Sequence, residues 1–419
     1  MKLRTHLLAL ALALPACDGG TEPCDPDTPN TICTVAGSGE QGRKGDGDLA
    51  TNAELFVPMD TAIAPNGELW ILDFNNYLVR AVDADGIIRT VLGSGELGDS
   101  PPEGVPSMPA IEATFNHTTN LFFADGYMYV AAWHNSRVKR MNLETATLEN
   151  YAGRGVRTFY DGDGGDKMAA ALDLPSGIAL SPDGDITIMD QANMTIRRIN
   201  RADNTIDTIV GTCVVELDFP CAAGEVPQAC PDSNKLACGD LATECSKPCT
   251  PGYGGDGGPA REARLGQPFG QSADPAGRIT YDPAGNLIFA DTDNHRIRKV
   301  DAAGIITTIA GTGVGGYDGD DQPASQAKIN RPVDVAAAAD GTIYFTDVYN
   351  HCVRKIDPDG TIRRVAGTCQ ATINGGFSGD GGSPLDAELN WPYGVELAGS
   401  KLYVTDTYNN RIRVVNLPE

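Results

Sequence analysis

The sequence lacks most of the patterns by which enzymes are recognised. Its 419 residues include only five histidines, so a zinc site built from three histidines is not expected. Neither the nucleophile-elbow pattern G-x-S-x-G nor a phosphate-binding P-loop occurs. No apolar pattern of period 3.6 is sustained, which excludes helical repeats. These absences lean against an enzyme, and no catalytic or metal-binding residue is assigned.

Positive charge is also scarce. The chain has 32 lysines and arginines against 56 aspartates and glutamates, which gives a formal net charge of −24. A surface of this charge repels nucleic acid and anionic lipid headgroups, so neither is expected as a direct partner. It favours solubility and cationic partners.

Long apolar runs are missing as well, apart from one near the N-terminus. Two basic residues precede a run that ends at Leu14 and is too short to span a bilayer, as in an export signal. The residues that follow, up to Cys17, resemble a bacterial lipobox in which this cysteine would receive lipid. A cleaved signal with a chance cysteine is the alternative. We expect a signal peptide over residues 1–16, an acidic tether over 17–30, and export with a lipid anchor in the cell envelope.

The cysteines fit such a compartment. There are 11, and ten remain after Cys17, an even number that predicts disulfides. An insertion of about residues 213–253 holds six of them, read as up to three disulfides: Cys213, Cys221, Cys230, Cys238, Cys245 and Cys249. Zinc binding is the alternative for the CSKPC stretch, although the insertion has no histidine. The insertion either recognises a partner or is a variable loop without one. Two local pairs are predicted elsewhere, Cys24 with Cys33 and Cys352 with Cys369.

One motif, D-x-x-N, recurs along the chain. Aligned on its asparagine, it has six copies, at Asn76, Asn135, Asn193, Asn294, Asn350 and Asn409. The spacings are 59, 58, 101, 56 and 59 residues, so one insertion interrupts a steady period. A basic residue follows by four positions, at Arg80, Lys139, Arg197, Arg298, Arg354 and Arg413. An aspartate precedes by three positions in all copies but the second, at Asp73, Asp190, Asp291, Asp347 and Asp406. We expect the aspartate and arginine to pair, and the asparagine to adopt the left-handed backbone of a tight turn.

Each repeat contains four short strand-like runs separated by turn residues. In the fifth repeat they are VDVAAAA, TIYFTD, CVRKID and TIRRVAG, with Asp-Gly turns as in β-hairpins. Four antiparallel strands repeated six times predict an all-β, six-bladed β-propeller over residues 31–419. The last repeat lacks its fourth strand, whereas TICTVAGSG from Thr31 matches TIRRVAGTC from Thr361. The N-terminal strand is therefore expected to complete the last blade.

A second motif, GDG or a relative, lies upstream of five copies. Its aspartates are Asp46, Asp163, Asp256, Asp320 and Asp380. Alternating strand direction would place both motifs on one rim, so these five residues are candidates for a binding face. Calcium is an alternative ligand, although one such loop offers too few of the six to eight oxygens it needs, and no cofactor is expected. In the simplest interpretation, the aspartates cap short helical turns such as PAREARL.

The stretch NHRIRKV at 294–300, with GDGGPA at 255–260 and IAGTG at 309–313, resembles the NHL-repeat family. The resemblance is to an exported bacterial branch related to the teneurin NHL domain, and it covers roughly residues 31–419. It implies a propeller that interacts with partners, and it names no ligand.

The predicted innermost strands offer three acidic side chains to the central channel, Asp60, Asp334 and Glu396. Asp60 and Asp334 share one aligned position, so they are candidates for a carboxylate pair across the channel; hydrogen bonding within loops is the alternative. The sequence favours a monomeric, non-catalytic binding or scaffold lipoprotein whose partner is a protein or a glycan. The alternative function is a hydrolase or lyase with an acidic, metal-assisted site at the channel.

Overall fold

The computed structural model describes residues 24–157, 160–214, 228–229, 236–237, 249–270, 272–370 and 375–418. Six antiparallel sheets form the blades of a β-propeller, as the repeats predict. The innermost strand of each blade contacts the innermost strands of both neighbouring blades, so the ring is closed.

The first three blades follow the order of the chain from the inside outwards. Blade 1 comprises Pro58–Ile63, Leu69–Asp73, Leu78–Val82 and Ile88–Leu92. Blade 2 comprises Thr118–Ala124, Tyr127–Ala132, Arg137–Asn142 and Thr147–Ala152. Blade 3 comprises Pro175–Leu180, Ile186–Asp190, Thr195–Asn200 and Thr205–Val210.

The next two blades repeat this order, and the last one is assembled from both ends of the chain. Blade 4 comprises Ile279–Tyr281, Leu287–Asp291, Arg296–Val300 and Ile306–Ala310. Blade 5 comprises Pro332–Ala337, Ile343–Asp347, Cys352–Ile356 and Thr361–Ala366. Blade 6 comprises Pro392–Ala398, Lys401–Asp406, Arg411–Asn416 and the N-terminal Ile32–Ala36.

The N-terminal strand completes blade 6, as predicted. Ile32 lies opposite Val415 and Ala36 lies opposite Ile412 in an antiparallel ladder. The side chains of Ile32 and Ala36 are fully buried. The closing strand therefore covers what would otherwise be an exposed strand edge.

Three blades carry a fifth strand that the sequence did not predict. The short additional strands are Met108–Pro109 in blade 2, Gly165–Asp166 in blade 3 and Gln322–Pro323 in blade 5. Each pairs with the outermost strand of its blade. The connection that enters a blade thus protects part of its outer edge. A separate two-stranded ladder, Gln228–Ala229 with Leu236–Ala237, lies in the insertion.

Two sets of 3-10 helices mark the connections. One set carries the D-x-x-N motif: Phe74–Asn76, Gln191–Asn193, Thr292–Asn294, Val348–Asn350 and Thr407–Asn409. The other lies between blades: Ala50–Asn52, Ala110–Glu112, Ala260–Glu262, Ala324–Gln326 and Pro384–Asp386. Because successive strands alternate in direction, the D-x-x-N loops and the inter-blade connections open on the same side, called the motif face below.

Three disulfides join cysteines of the described residues. They are Cys24–Cys33, Cys352–Cys369 and Cys213–Cys249, the last at the base of the insertion. The other cysteines singled out in the sequence lie outside the described residues: Cys17, Cys221, Cys230, Cys238 and Cys245. Disulfides persist in oxidising compartments, which indicates an extracytoplasmic protein. Within the part of the chain that the structure covers, we find no helix long and apolar enough to span a bilayer.

Candidate functional site

A buried ion-pair unit links the two sequence motifs. In blade 4, Arg298 Nη2 lies 2.7 Å from Oδ1 of Asp256, and Nη1 lies 3.2 Å from Oδ2 of Asp291. The same guanidinium donates hydrogen bonds to the main-chain carbonyls of Arg264 and Gly254. One arginine therefore engages both aspartates and fastens the inter-blade connection to the third strand of the blade.

The unit recurs around the ring. Its other members are Arg80 with Asp73 and Asp46, Arg197 with Asp190 and Asp163, Arg354 with Asp347 and Asp320, and Arg413 with Asp406 and Asp380. In blade 2, Lys139 pairs with Asp99 instead, and Ala132 stands in place of the first aspartate. Burial raises the pKa of Asp73 to about 7, although the hydrogen bonds from Asn76 and Phe56 and the charge of Arg80 oppose this shift.

The GDG aspartates serve as acceptors within their own blades. Asp46 Oδ1 accepts a hydrogen bond from Arg80 at 2.6 Å, and Oδ2 accepts the N–H of Thr90 at 2.9 Å. The 3-10 helix Ala260–Glu262, which follows Asp256, has no side-chain cap, so the predicted capping role is wrong there. The described residues include no group of three or more His, Cys, Asp or Glu side chains arranged to hold a metal ion. A binding role for the five aspartates stays a prediction.

The motif asparagine also differs from expectation. Asn294 Nδ2 donates to Oδ2 of Asp291 at 2.9 Å and to the carbonyl of Gly252 at 2.8 Å. The next residue, His295, has the left-handed backbone, with φ of 51°. The left-handed position was thus predicted one residue too early, because it ends the 3-10 helix instead of lying within it.

This left-handed residue fastens each of three blades to the next. Its side chain accepts a main-chain N–H there: His295 Nδ1 from Arg331 at 3.1 Å, His351 Nδ1 from Trp391 at 3.2 Å, and Asn410 Oδ1 from Val57 at 2.9 Å. Histidine beside the motif therefore has a structural role in blades 4 and 5, and Asn410 has the same role in blade 6.

The channel aspartates meet on the propeller axis with an arginine between them. Arg278 Nη1 lies 2.8 Å from Oδ1 of Asp60 and 2.8 Å from Oδ2 of Asp334. Arg278 Nη2 donates to the carbonyls of Met59 at 2.7 Å and Thr119 at 2.5 Å. All three charged residues are buried. The two carboxylates thus share one guanidinium that fills the channel at this level.

The remaining acceptor capacity of these carboxylates is also used. Asp60 Oδ2 accepts hydrogen bonds from Nδ2 of Asn120 at 2.8 Å and from the N–H of Leu121 at 2.7 Å. Asp334 Oδ2 also accepts the N–H of Val395 at 2.9 Å. Burial raises the pKa of Asp60 to about 7; Arg278 opposes this shift and Asp334 adds to it. The pair is arranged as a buried structural cluster more than as an open site for a metal or substrate.

Sequence reasoning missed Arg278 because the innermost strand of blade 4 is shortened and follows irregular structure over residues 266–270 and 272–278. Arg278 nevertheless stands seven residues before a turn glycine, as Asp60 and Asp334 do, and this spacing could have revealed it. Glycines occupy the same position in blades 3 and 6. A Cβ atom added to Gly177 would lie only 2.9 Å from Cα of Arg278. A Cβ atom added to Gly394 would lie 3.2 Å from Nη1 of Arg278. These blades therefore make room for the arginine.

Glu396 lies two residues after Gly394 in the innermost strand of blade 6, in the half of the channel away from the motif face. It lines a cavity of about 170 Å³ together with Thr61, Ile178 and Thr280. Its Oε1 accepts the N–H of Ile63 at 3.4 Å. Burial raises the pKa of Glu396 to about 8; the N–H of Ile63 opposes this shift, and nearby channel carboxylates add to it.

A second cavity, of about 410 Å³, opens on the motif face at the axis. Rings dominate its wall: Phe56, Phe74, His117, Trp133, His134, Tyr393 and Tyr408. Met59 lines it too, and the Met59 carbonyl accepts from Arg278, so the axial arginine lies below the cavity. Pockets of this size and apolar character are typical of ligand sites. We call it the aromatic cavity.

Four of the seven rings come from positions that the sequence analysis treated as spacers. Phe74, Trp133, His134 and Tyr408 occupy the two variable places of the D-x-x-N motif or its blade 2 equivalent. Next to Tyr408, Trp391 extends the wall, with ring centroids 5.2 Å apart. Trp391 has φ of 50°, and the residue before the innermost strand has a similar φ in four other blades, so this backbone conformation belongs to the repeat.

Charged groups border one side of the aromatic cavity. Asp274 lines it, and its carboxylate accepts a long hydrogen bond of 3.5 Å from the hydroxyl of Tyr349. Arg331 Nη2 lies 3.0 Å from Asp293 Oδ1 and 3.8 Å from Asp274 Oδ2. The Arg331 guanidinium also stacks over the Tyr349 ring, 4.9 Å from its centroid.

The two histidines of the cavity are in contact with each other. His117 Nδ1 and His134 Nδ1 lie 3.2 Å apart, and His134 stacks on Trp133 with centroids 4.2 Å apart. Burial lowers the pKa of His134 to about 4, and the charges of His117 and Arg157 act in the same direction. Burial lowers the pKa of His117 as well. Both imidazoles are therefore neutral at physiological pH.

Comparisons with known proteins agree with the sequence motifs. The family model of the teneurin NHL domain matches residues 30–123. Teneurin-3 of Mus musculus is 28% identical over 281 residues, which cover 64% of this chain and 9% of the teneurin. Teneurin-1 of Mus musculus is 24% identical over 410 residues, which cover 93% of this chain and 13% of the teneurin. The chain thus spans a small part of these relatives.

Among solved structures, an auxiliary nutrient binding protein from Bacteroides thetaiotaomicron VPI-5482 is similar, with a TM-score of 0.55 and 13% identity. The match covers 91% of this chain and 75% of that one. At this level of identity the likeness shows the fold alone.

Proposed function

Because the chain is an NHL-repeat six-bladed β-propeller similar to the teneurin NHL domain, we propose that it is a non-catalytic, extracytoplasmic binding protein. The aromatic cavity is its binding site, and a protein or glycan is its partner. The propeller acts as a monomer on the tether of residues 17–30, anchored through a lipid on Cys17. The three disulfides support export.

The aromatic cavity is the observation that carries this proposal. It opens at the axis, where loops from several blades converge, and rigid strands hold those loops in place. Tyr408 on its wall is 48% exposed, so its ring is accessible to a ligand.

The acidic channel site of a hydrolase or lyase has less support. Its two aspartates are bound by Arg278 and by donors of the innermost strands, so freeing either one would leave a buried charge unpaired.

The proposal is tested by comparing two variants of the lipid-free protein, residues 18–419, in binding to solubilised native envelope. We expect Tyr408→Ser to reduce retention of the wild-type partner at least fivefold. Leu385→Ala is the matched control, because it removes an apolar side chain that is 40% exposed but lies outside the cavity lining. Equal retention by all three proteins, with unchanged melting temperatures, would show that the cavity is not the binding site.

A further inference from the structure

The border of the aromatic cavity carries an excess of negative charge. Two carboxylates, of Asp274 and Asp293, face one guanidinium, that of Arg331. The closer ion pair is with Asp293, at 3.0 Å, whereas Asp274 lies at 3.8 Å. The Asp274 side chain remains 40% exposed. Its charge is therefore only partly compensated and is accessible to a ligand.

The field of Asp274 extends into the cavity. Burial raises the pKa of Tyr408, and the charge of Asp274 adds to this shift. The same two causes raise the pKa of Tyr393. The imidazoles of His117 and His134, neutral at physiological pH, do not offset this field. A cation in the cavity would meet aromatic rings and an under-compensated carboxylate, both of which favour it.

Arg331 shows how such a cation is held. Its guanidinium lies over the ring of Tyr349, between two carboxylates, and Nη1 is 3.4 Å from the Tyr349 hydroxyl. From Tyr349 the ring series continues to Trp391, at 4.4 Å, and then to Tyr408 at the cavity. The cavity thus has Tyr408 and the same Asp274 in its wall, and its lining residues include no lysine or arginine.

We propose that the aromatic cavity receives a cationic side chain, arginine or lysine, of a basic protein partner. The inference rests on the proposed function and names the chemistry of that site. A cation over aromatic rings is bound more tightly when it is partly desolvated, as in a cavity. The net charge of −24 would attract a basic partner over long range and repel an acidic one.

Calorimetric titration of the lipid-free protein with acetyl-arginine amide and acetyl-citrulline amide tests the proposal. The two probes have nearly the same shape, and only the first is charged. We expect the arginine probe to bind at least tenfold more tightly than the citrulline probe, and we expect added salt to weaken binding of the arginine probe. Asp274→Asn and Tyr408→Ala should each weaken binding of the arginine probe at least fivefold. Asp386→Asn is the control, since that aspartate is exposed on an inter-blade 3-10 helix away from the cavity lining.

The outcomes separate this inference from the proposed function. Equal affinity for the two probes, or binding that Asp274→Asn leaves unchanged, would overturn the cationic ligand. Binding of a neutral disaccharide such as cellobiose, lost in Tyr408→Ala and without binding of the arginine probe, would keep the cavity as a binding site but make its ligand a glycan. If neither probe nor disaccharide binds and Tyr408→Ser retains the envelope partner, both proposals fail.

Discussion

At the residue scale, the buried charges of the axis and of the motif units are surrounded by counter-charges and hydrogen-bond donors. Arg278 of blade 4 is the clearest case, because one aspartate partner comes from blade 1 across the ring and the other from the adjacent blade 5. Such a cluster gains its stability from complete pairing, and removal of one member costs more than the cluster contributes relative to an apolar core.

Replacement of Arg278 by methionine should therefore destabilise the propeller. Asp60 and Asp334 would be left buried together without their shared cation, and we expect the free energy of unfolding to fall by about 3–5 kcal/mol at pH 8. The loss should be smaller at pH 5, since burial already raises the pKa of Asp60 to about 7 and a proton can replace the lost charge. Urea unfolding at both pH values measures it.

Arg363→Met is the matched control, because this arginine is itself 42% exposed, although it pairs with Asp357 as well as with the exposed Asp321. The free energy of unfolding of this control should fall by less than about 1 kcal/mol at either pH. If both variants lose equal stability, the axial cluster has no special role.

Glu396 should make stability depend on pH. Burial raises its pKa to about 8 from an ordinary value of 4.5. The folded state then binds more protons than the unfolded state between these values, so stability falls as pH rises from about 4.5 to about 8. Glu396→Gln should lessen this fall, as seen in the difference between wild-type and variant melting curves across that window. A parallel shift at every pH, or the same change in the exposed Glu103→Gln, would contradict the assignment.

At the element scale, an ion-pair unit fastens the third strand of each blade to the inter-blade connection, and in five blades it also includes the aspartate at the end of the second strand. An aromatic residue three positions before the GDG aspartate belongs to it in four blades: Tyr160, Tyr253, Tyr317 and Phe377. The ring lies near the buried guanidinium, 5.2 Å away for Tyr253 and Arg298, and the Tyr253 hydroxyl donates to Asp256 at 2.8 Å. Packing and hydrogen bonds thereby order the inter-blade connections.

The disulfide at the base of the insertion should stabilise the connection between blades 3 and 4. Cys213 and Cys249 are separated by 36 residues and are both buried. Cys213→Ser with Cys249→Ser should lower the free energy of unfolding by about 2–4 kcal/mol, because the unfolded chain regains the freedom of a long loop. Urea unfolding under oxidising conditions measures this change.

Cys24→Ser with Cys33→Ser provides the comparison, since that pair closes a loop of only 9 residues. Removal of this disulfide should lower the free energy of unfolding less than removal of Cys213–Cys249 does. The reverse order would mean that strain or local packing, and not loop length, decides the contribution of these disulfides.

At the scale of the whole molecule, stability depends on closure of the ring by the two chain ends. Ile32–Ala36 fills the outermost place of blade 6, and Asn410 in the same blade binds the N–H of Val57 in blade 1. Both contacts are lost together if the chain ends separate, which makes closure cooperative.

Deletion of residues 31–37 should therefore leave a protein that melts at least 10 °C lower or lacks a cooperative transition. The deletion exposes the edge of Arg411–Asn416 and removes the buried side chains of Ile32 and Ala36. Calorimetry of the deleted form is compared with the Cys24→Ser, Cys33→Ser variant, which lacks the disulfide and keeps the strand. If the two melt alike, the strand does not close the ring.

The sequence by itself determined the number of blades, their strand order and the closing strand. These follow from motif spacing, Asp-Gly turns and the match between TICTVAGSG and TIRRVAGTC, all of which are local patterns. It also predicted the Asp–Arg pairing of the D-x-x-N motif, because those residues lie seven positions apart on adjacent strands, as Asp291 and Arg298 do.

The tertiary structure alone decided what the axis and the motif face contain. Arg278 joins Asp60 across 218 residues, and Asp334 across 56, because six strands converge at one point. The aromatic cavity likewise collects side chains from blades 1, 2 and 6 and from the segment before blade 4. No local pattern specifies such neighbours, since only the curvature of the closed ring brings residues of distant repeats to the same place.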